Sequence, residues 1–75
     1  MHLQGPNALQ RSIDRMLTEA NTRMAVGKSE EASRSYHKAA QFAEQMIEML
    51  EDAGARRSMT VRAAEYKQRA RALTS

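Results

Sequence analysis

Gly27-Lys28-Ser29 has the ending of a phosphate-binding loop. Such a loop reads Gly-x-x-x-x-Gly-Lys-Ser/Thr between a buried strand and a helix, so that backbone N–H groups cradle the phosphates. Here Thr22 stands where the first glycine belongs, and the residues upstream follow helical spacing rather than strand alternation. The tripeptide is therefore expected to be a corner between two helices. His2 and His37 lie far apart with no ligand-spaced partner, and there is no cysteine. Glu44 and Glu48 stand one turn apart and could share a proton or a cation, but their spacing places them on a solvated helix face. The serines fall at helix ends and on exposed faces, which gives no nucleophile, base and orienting group. No catalytic residue, metal ligand set, cofactor or small-molecule substrate is expected, and the chain is not expected to be an enzyme.

The elements that hold these residues follow from length and periodicity. Seventy-five residues without a disulfide allow one small domain, whose core must come from packing alone. Antiparallel helices with short loops are the economical solution at this size. No apolar run approaches the roughly 20 residues that span a bilayer, and Met1 to Pro6 lacks the pattern of a secretory signal, so the cytoplasm is the expected compartment. Residues 1–6 are expected to be a loose N-terminal run, and residues 7–75 the domain. Asn7 is the expected cap of a first helix carrying Leu9, Ile13, Met16, Leu17, Ala20 and Met24 on one face. Gly27 is a natural stop for it. Ser29 suits the N-cap of a second helix, with Glu30 and Glu31 at the positive end of its dipole. That helix presents Ala32, Tyr36, Ala39, Ala43, Met46, Ile47 and Leu50, flanked by a second line of Phe42, Met49 and Ala53. Gly54 is expected to close it. A third helix, starting between Ala55 and Ser58, carries Met59, Ala63, Tyr66, Ala70 and Leu73. The predicted fold is all-α, a three-helix antiparallel bundle.

The net charge of +3 hides opposite signs on different helices. Residues 30–52 sum to −4 and residues 54–75 to +5. Acids ending the second helix are expected near the start of the third, where Arg56 and Arg57 can pair with them. Arg62, Lys67, Arg69 and Arg71 remain as a basic surface that suits an acidic peptide or phospholipid headgroups. With no aromatic platform and no recognition-helix motif, nucleic acid is not an expected partner.

The methionines Met16, Met24, Met46, Met49 and Met59 fall on or beside the apolar stripes. Methionine fills gaps in small cores, and it also lines adaptable grooves that accept an amphipathic helix. Phe42 and Met49, to one side of the main stripe, are expected to border such a groove. Tyr36 and Tyr66 are expected to pack their rings inside with the hydroxyls at the edge. Two rival expectations are self-association through the Phe42/Met49 line, and a tetratricopeptide-like peptide binder with a basic membrane-facing surface.

Leu9-Gln10-x-x-Ile13-Asp14, then Glu30-Glu31-Ala32-x-x-x-Tyr36-x-x-Ala39, then Glu65-Tyr66-x-x-Arg69-Ala70-x-x-Leu73 resembles a microtubule-interacting and trafficking (MIT) domain over about residues 8–74. The second segment also resembles the first helix of a tetratricopeptide repeat, a helix pair, to which the third helix adds one more. The resemblance implies a cytoplasmic recruitment module for protein transport and endosomal sorting, peripheral at endosomal membranes. Its implied partners are the C-terminal motifs of ESCRT-III-type filament proteins. Two grooves are implied: one between helices two and three for an amphipathic helix, and one between helices one and three for an extended proline-bearing segment. Phe42, Met46, Met49, Ala64, Lys67 and Arg71 are the residues expected at the first, with Phe and Met as apolar anchors and the two cations as orienting charges. Lys67 stands where family members often carry a leucine, and its stem can still cover apolar surface while its charge pairs with an acidic partner residue.

Overall fold

Leu9, Ile13 and Ala20 are buried along one face of the first helix, and Ala32, Tyr36, Ala39, Ala40 and Ala43 along one face of the second. Met59, Ala63 and Ala70 are buried on the third. The computed structural model describes residues 5–74, and within them the chain is an all-α bundle of α1 (Pro6–Ala25), α2 (Ser29–Met49) and α3 (Ala53–Ala72). Ile13 meets Ala39, Ala43, Met59 and Ala63 in one cluster, and Ala20 meets Tyr36 and Ala70 in a second. Residue numbers rise along α1 and α3 where they fall along α2, so α2 runs antiparallel to both neighbours.

The middle helix is the hub. It packs against α1 and against α3, whereas no Cα of α1 comes within 8 Å of one in α3 among the described residues. The cause lies in the alanines: Ala32, Ala39, Ala40 and Ala43 are each 0% exposed. Side chains this small let two neighbouring helices approach α2 from different sides at once.

The helix ends differ from the expected ones by a residue or two. α1 begins at Pro6, the favoured first helical position, and Leu9 N–H donates to the Gly5 carbonyl at 2.9 Å, so Asn7 lies inside the helix rather than capping it. The expected loose run therefore gives Pro6 to the helix, and residues 1–4 lie outside the described residues. Lys28, not Ser29, is the N-cap of α2. α2 ends at Met49, so Gly54 does not close it, and α3 starts earlier than expected because Asp52 Oδ2 accepts from Ala55 N–H at 2.8 Å. Ala53 and Gly54 form its first turn, where a Cβ on residue 54 would sit 3.2 Å from that carboxylate oxygen. Asp52 is thus used as a cap, and Arg56 and Arg57 form no ion pair among the described residues. Met24, at the end of its stripe, is 42% exposed rather than part of the core.

Gly27 does end α1. Its N–H donates to the Met24 carbonyl at 3.1 Å, Lys28 N–H donates to the Arg23 carbonyl at 2.8 Å, and φ at Gly27 is +77°. This is the paired Schellman closure, with the glycine in the left-handed region at C′. Gly27→Ala is expected to destabilise the fold by about 1–2 kcal/mol, the cost of a Cβ in that conformation, measured as a lower midpoint in urea. A midpoint equal to wild type would mean the corner relaxes to another closure.

Candidate peptide-docking groove

The flanks of α2 are distinguished by what they bond. On one flank, Ser35 Oγ lies 3.3 Å from Glu19 Oε1, and Arg23 donates to Glu31 Oε1 at 3.2 Å and to Glu19 Oε1 at 3.1 Å. Glu31, Ser35, Phe42 and Met49 follow one another at helical spacing, so this flank faces α1. On the other, Ser33 Oγ donates to the Ala70 carbonyl at 2.6 Å, and Lys67 Nζ donates to Glu44 Oε2 at 2.6 Å. Ser33, His37, Glu44 and Ile47 therefore face α3. The Ser33 bond satisfies one of the last carbonyls of α3, which no backbone N–H within the helix can reach.

Two hollows lie along the α2/α3 seam. The first, about 240 Å³, has Ile47, Ala63 and Ala64 as its apolar floor, with Thr60, Glu44, Lys67 and Arg71 around it. The second, about 500 Å³, lies toward the C-terminal end of α3 and is lined by Ser33, Arg34, His37, Lys38, Gln41, Ala70, Arg71 and Thr74. Arg71 belongs to both. The Lys67–Glu44 pair straps the first hollow, and both side chains are more than a third exposed (37% and 49%). An exposed pair of this kind contributes at most about 1 kcal/mol and can be exchanged for contacts with a ligand.

Three of the expected groove residues are at this seam and three are not. Ala64, Lys67 and Arg71 line the first hollow. Phe42 and Met46 are half-buried against the Ile13 cluster, and Met49 is exposed on the α1-facing flank. None of the three lines either α2/α3 hollow. The physical reason is angular: Phe42 and Met49 share the face of Glu31 and Ser35, which is committed to α1. Glu44, Ile47 and Thr60 line this hollow as well and are not among the expected residues; the opposite charges of Glu44 and Lys67 allow that pair without singling it out.

The remaining cations are divided. Arg69 lies over the ring of buried Tyr36, 5.9 Å from its centroid, within cation–π range. It caps the second core cluster. At the Gly27-Lys28-Ser29 corner, Lys28 Nζ lies 3.7 Å from Glu31 Oε2. Glu31 is held below its ordinary pKa chiefly by the hydrogen bond from Arg23, against opposing partial desolvation, with the charges of Lys28, Arg23 and Arg34 adding to the lowering. A carboxyl lowered in the folded state stabilises the fold above its unfolded-chain value, near 4.5, and this contribution is lost as pH falls through the folded value. Glu31→Gln is expected to flatten the fall in melting temperature between about pH 5 and pH 3 relative to wild type. Parallel curves for the two proteins would remove Glu31 from the acid sensitivity.

The seam and the bundle together define a helical module with one apolar-floored, cation-rimmed groove beside its central helix. No helix among the described residues is long and apolar enough to cross a membrane. Comparison with models of known protein families, with curated proteins and with solved structures finds no match.

Proposed function

We propose that this chain is an MIT-type recruitment module that docks the C-terminal motif of an ESCRT-III-type filament subunit in the α2/α3 groove, as an amphipathic helix. The observation that carries the reading is the first hollow: Ile47, Ala63 and Ala64 form an apolar floor under a charged strap, between α2 and α3. A helix laid along this seam would bury its apolar residues on that floor, and its charged residues would compete with Glu44 for Lys67. The module would work in the cytoplasm, at endosomal membranes where such filaments form, and would position whatever larger protein carries it. Self-association has less to draw on, because Phe42 is packed against the core and leaves only Met49 exposed on that line.

The test is a titration of isotope-labelled protein with C-terminal tails of filament-forming proteins, followed by chemical-shift mapping. Shifts are expected at Ile47, Thr60, Ala64, Lys67 and Arg71. Silence toward every such tail from the same organism, or shifts confined to the α1 side, would sink the reading.

A further inference from the structure

We infer that the end of the groove near Ser33 and Thr74 is a subsite for a phosphorylated serine or threonine on the docked segment, an inference that rests on the docking reading. The larger hollow gathers Arg34 and Lys38 from α2 and Arg71 from α3, with His37 beside them, and no carboxylate lines it. None of these three cations forms an ion pair among the described residues, although the field of Arg34 also reaches Glu31. The hydroxyls add no donors: Ser33 Oγ already donates to the Ala70 carbonyl at 2.6 Å, and Thr74 Oγ1 to the same carbonyl at 3.4 Å. Recognition there must come from the side-chain nitrogens. One carboxylate would engage one of them, whereas a phosphate monoester carries about −1.5 to −2 charges at neutral pH on three acceptor oxygens. Two guanidinium forks and an ammonium arriving from two helices suit that group.

Placement ties the subsite to the groove rather than to the general surface. Arg71 lines both hollows, so a segment seated on Ile47 continues toward Lys38. Those two positions are nine residues apart on α2, about 14 Å along the helix axis. The phosphoresidue of a helical partner would therefore lie roughly nine residues from its apolar anchor.

Capped phosphoserine and capped glutamate, each titrated into isotope-labelled protein at low millimolar concentration, test the subsite without any assumption about the tail. Phosphoserine is expected to shift the amides of Ser33, Arg34, Lys38 and Arg71 and to bind at least several-fold tighter than glutamate. The double variant Lys38→Gln/Arg71→Gln should erase that difference, while Arg57→Gln/Arg62→Gln on the outer face of α3 should keep it. Equal binding of the two probes, or shifts as large around Arg57 and Arg62, would overturn the inference. So would sedimentation with phosphatidic acid vesicles that depends on Lys38 and Arg71, which would assign these cations to a lipid headgroup. Because the tail titration stands apart from these probes, either reading can fail while the other's own measurement succeeds.

Discussion

Ile13→Ala is expected to lower the melting temperature by roughly 10–25 °C, the largest single effect foreseen for this fold. Ile13 is 1% exposed and joins α1 to residues of both other helices in one cluster. Truncating a buried isoleucine costs about 2–5 kcal/mol, through lost transfer energy and the cavity left behind. A chain of this length has a total stability on the order of 4–11 kcal/mol, so the substitution removes a large part of it. Three buried alanines in the cluster cannot move into the gap, but the flexible side chains of Leu17, Met46 and Met59 belong to or pack against the same cluster and can fill part of it, which argues for the lower half of the range. Met24→Ala, at the exposed end of the same stripe, is the control and should move the transition by no more than a few degrees. Similar shifts for the two variants would mean that the core does not run through Ile13.

Lys67→Asp is expected to weaken a docked tail at least about tenfold while leaving helical content near wild type. The substitution does two things at once: it removes the cation at the strap and sets a second carboxylate opposite Glu44, its present partner at 2.6 Å. Lost pairing and new like-charge repulsion each act on an incoming acidic residue. The fold should tolerate the change, because the side chain is 37% exposed and the bridge contributes little to stability. Isothermal titration against a binding tail and far-UV circular dichroism separate the two effects. Phe42→Ala makes the complementary comparison. Its ring packs against the core on the α1-facing flank, so its loss should lower stability and leave the affinity of the folded fraction unchanged. Were Phe42→Ala to weaken the tail as much as Lys67→Asp, the occupied groove would be on the other side of α2.

These two variants also mark what could be read from the sequence. The stripes of Leu9 to Ala20, Ala32 to Ala43 and Met59 to Ala70 specify three helices and their buried faces, because burial repeats at the helical period. Periodicity assigns Phe42 and Met49 to one edge of the second stripe and Ser33 and Glu44 to the other. It does not say which edge meets the first helix and which the third, since the bundle could turn either way. Only polar pairs decide that: Glu31 with Arg23 on one side, Glu44 with Lys67 on the other. Each of these four residues has several oppositely charged candidates in the chain, so the pairing becomes evident only in three dimensions. The misplaced caps have a simpler origin. Asn7, Ser29 and Gly54 are all suitable residues for helix ends, but Gly5, Lys28 and Leu50 hold the corresponding cap positions. Side-chain chemistry marks the neighbourhood of a boundary more sharply than its residue.

The arrangement in which α2 touches both neighbours while the α1 and α3 backbones stay apart has a kinetic consequence. Every close backbone approach between helices joins elements adjacent in the chain, across connections at Val26–Lys28 and Leu50–Asp52. Neither hairpin needs a long loop to close before its contacts form, so loop-closure entropy slows assembly little. Folding within microseconds to milliseconds is expected of such local topology. Either hairpin can form first, with α2 as the template for the other. A chain emerging from the ribosome N-terminus first would thus expose α1 and α2 before the last turn of α3, and the α2/α3 seam would be the final part of the bundle to close.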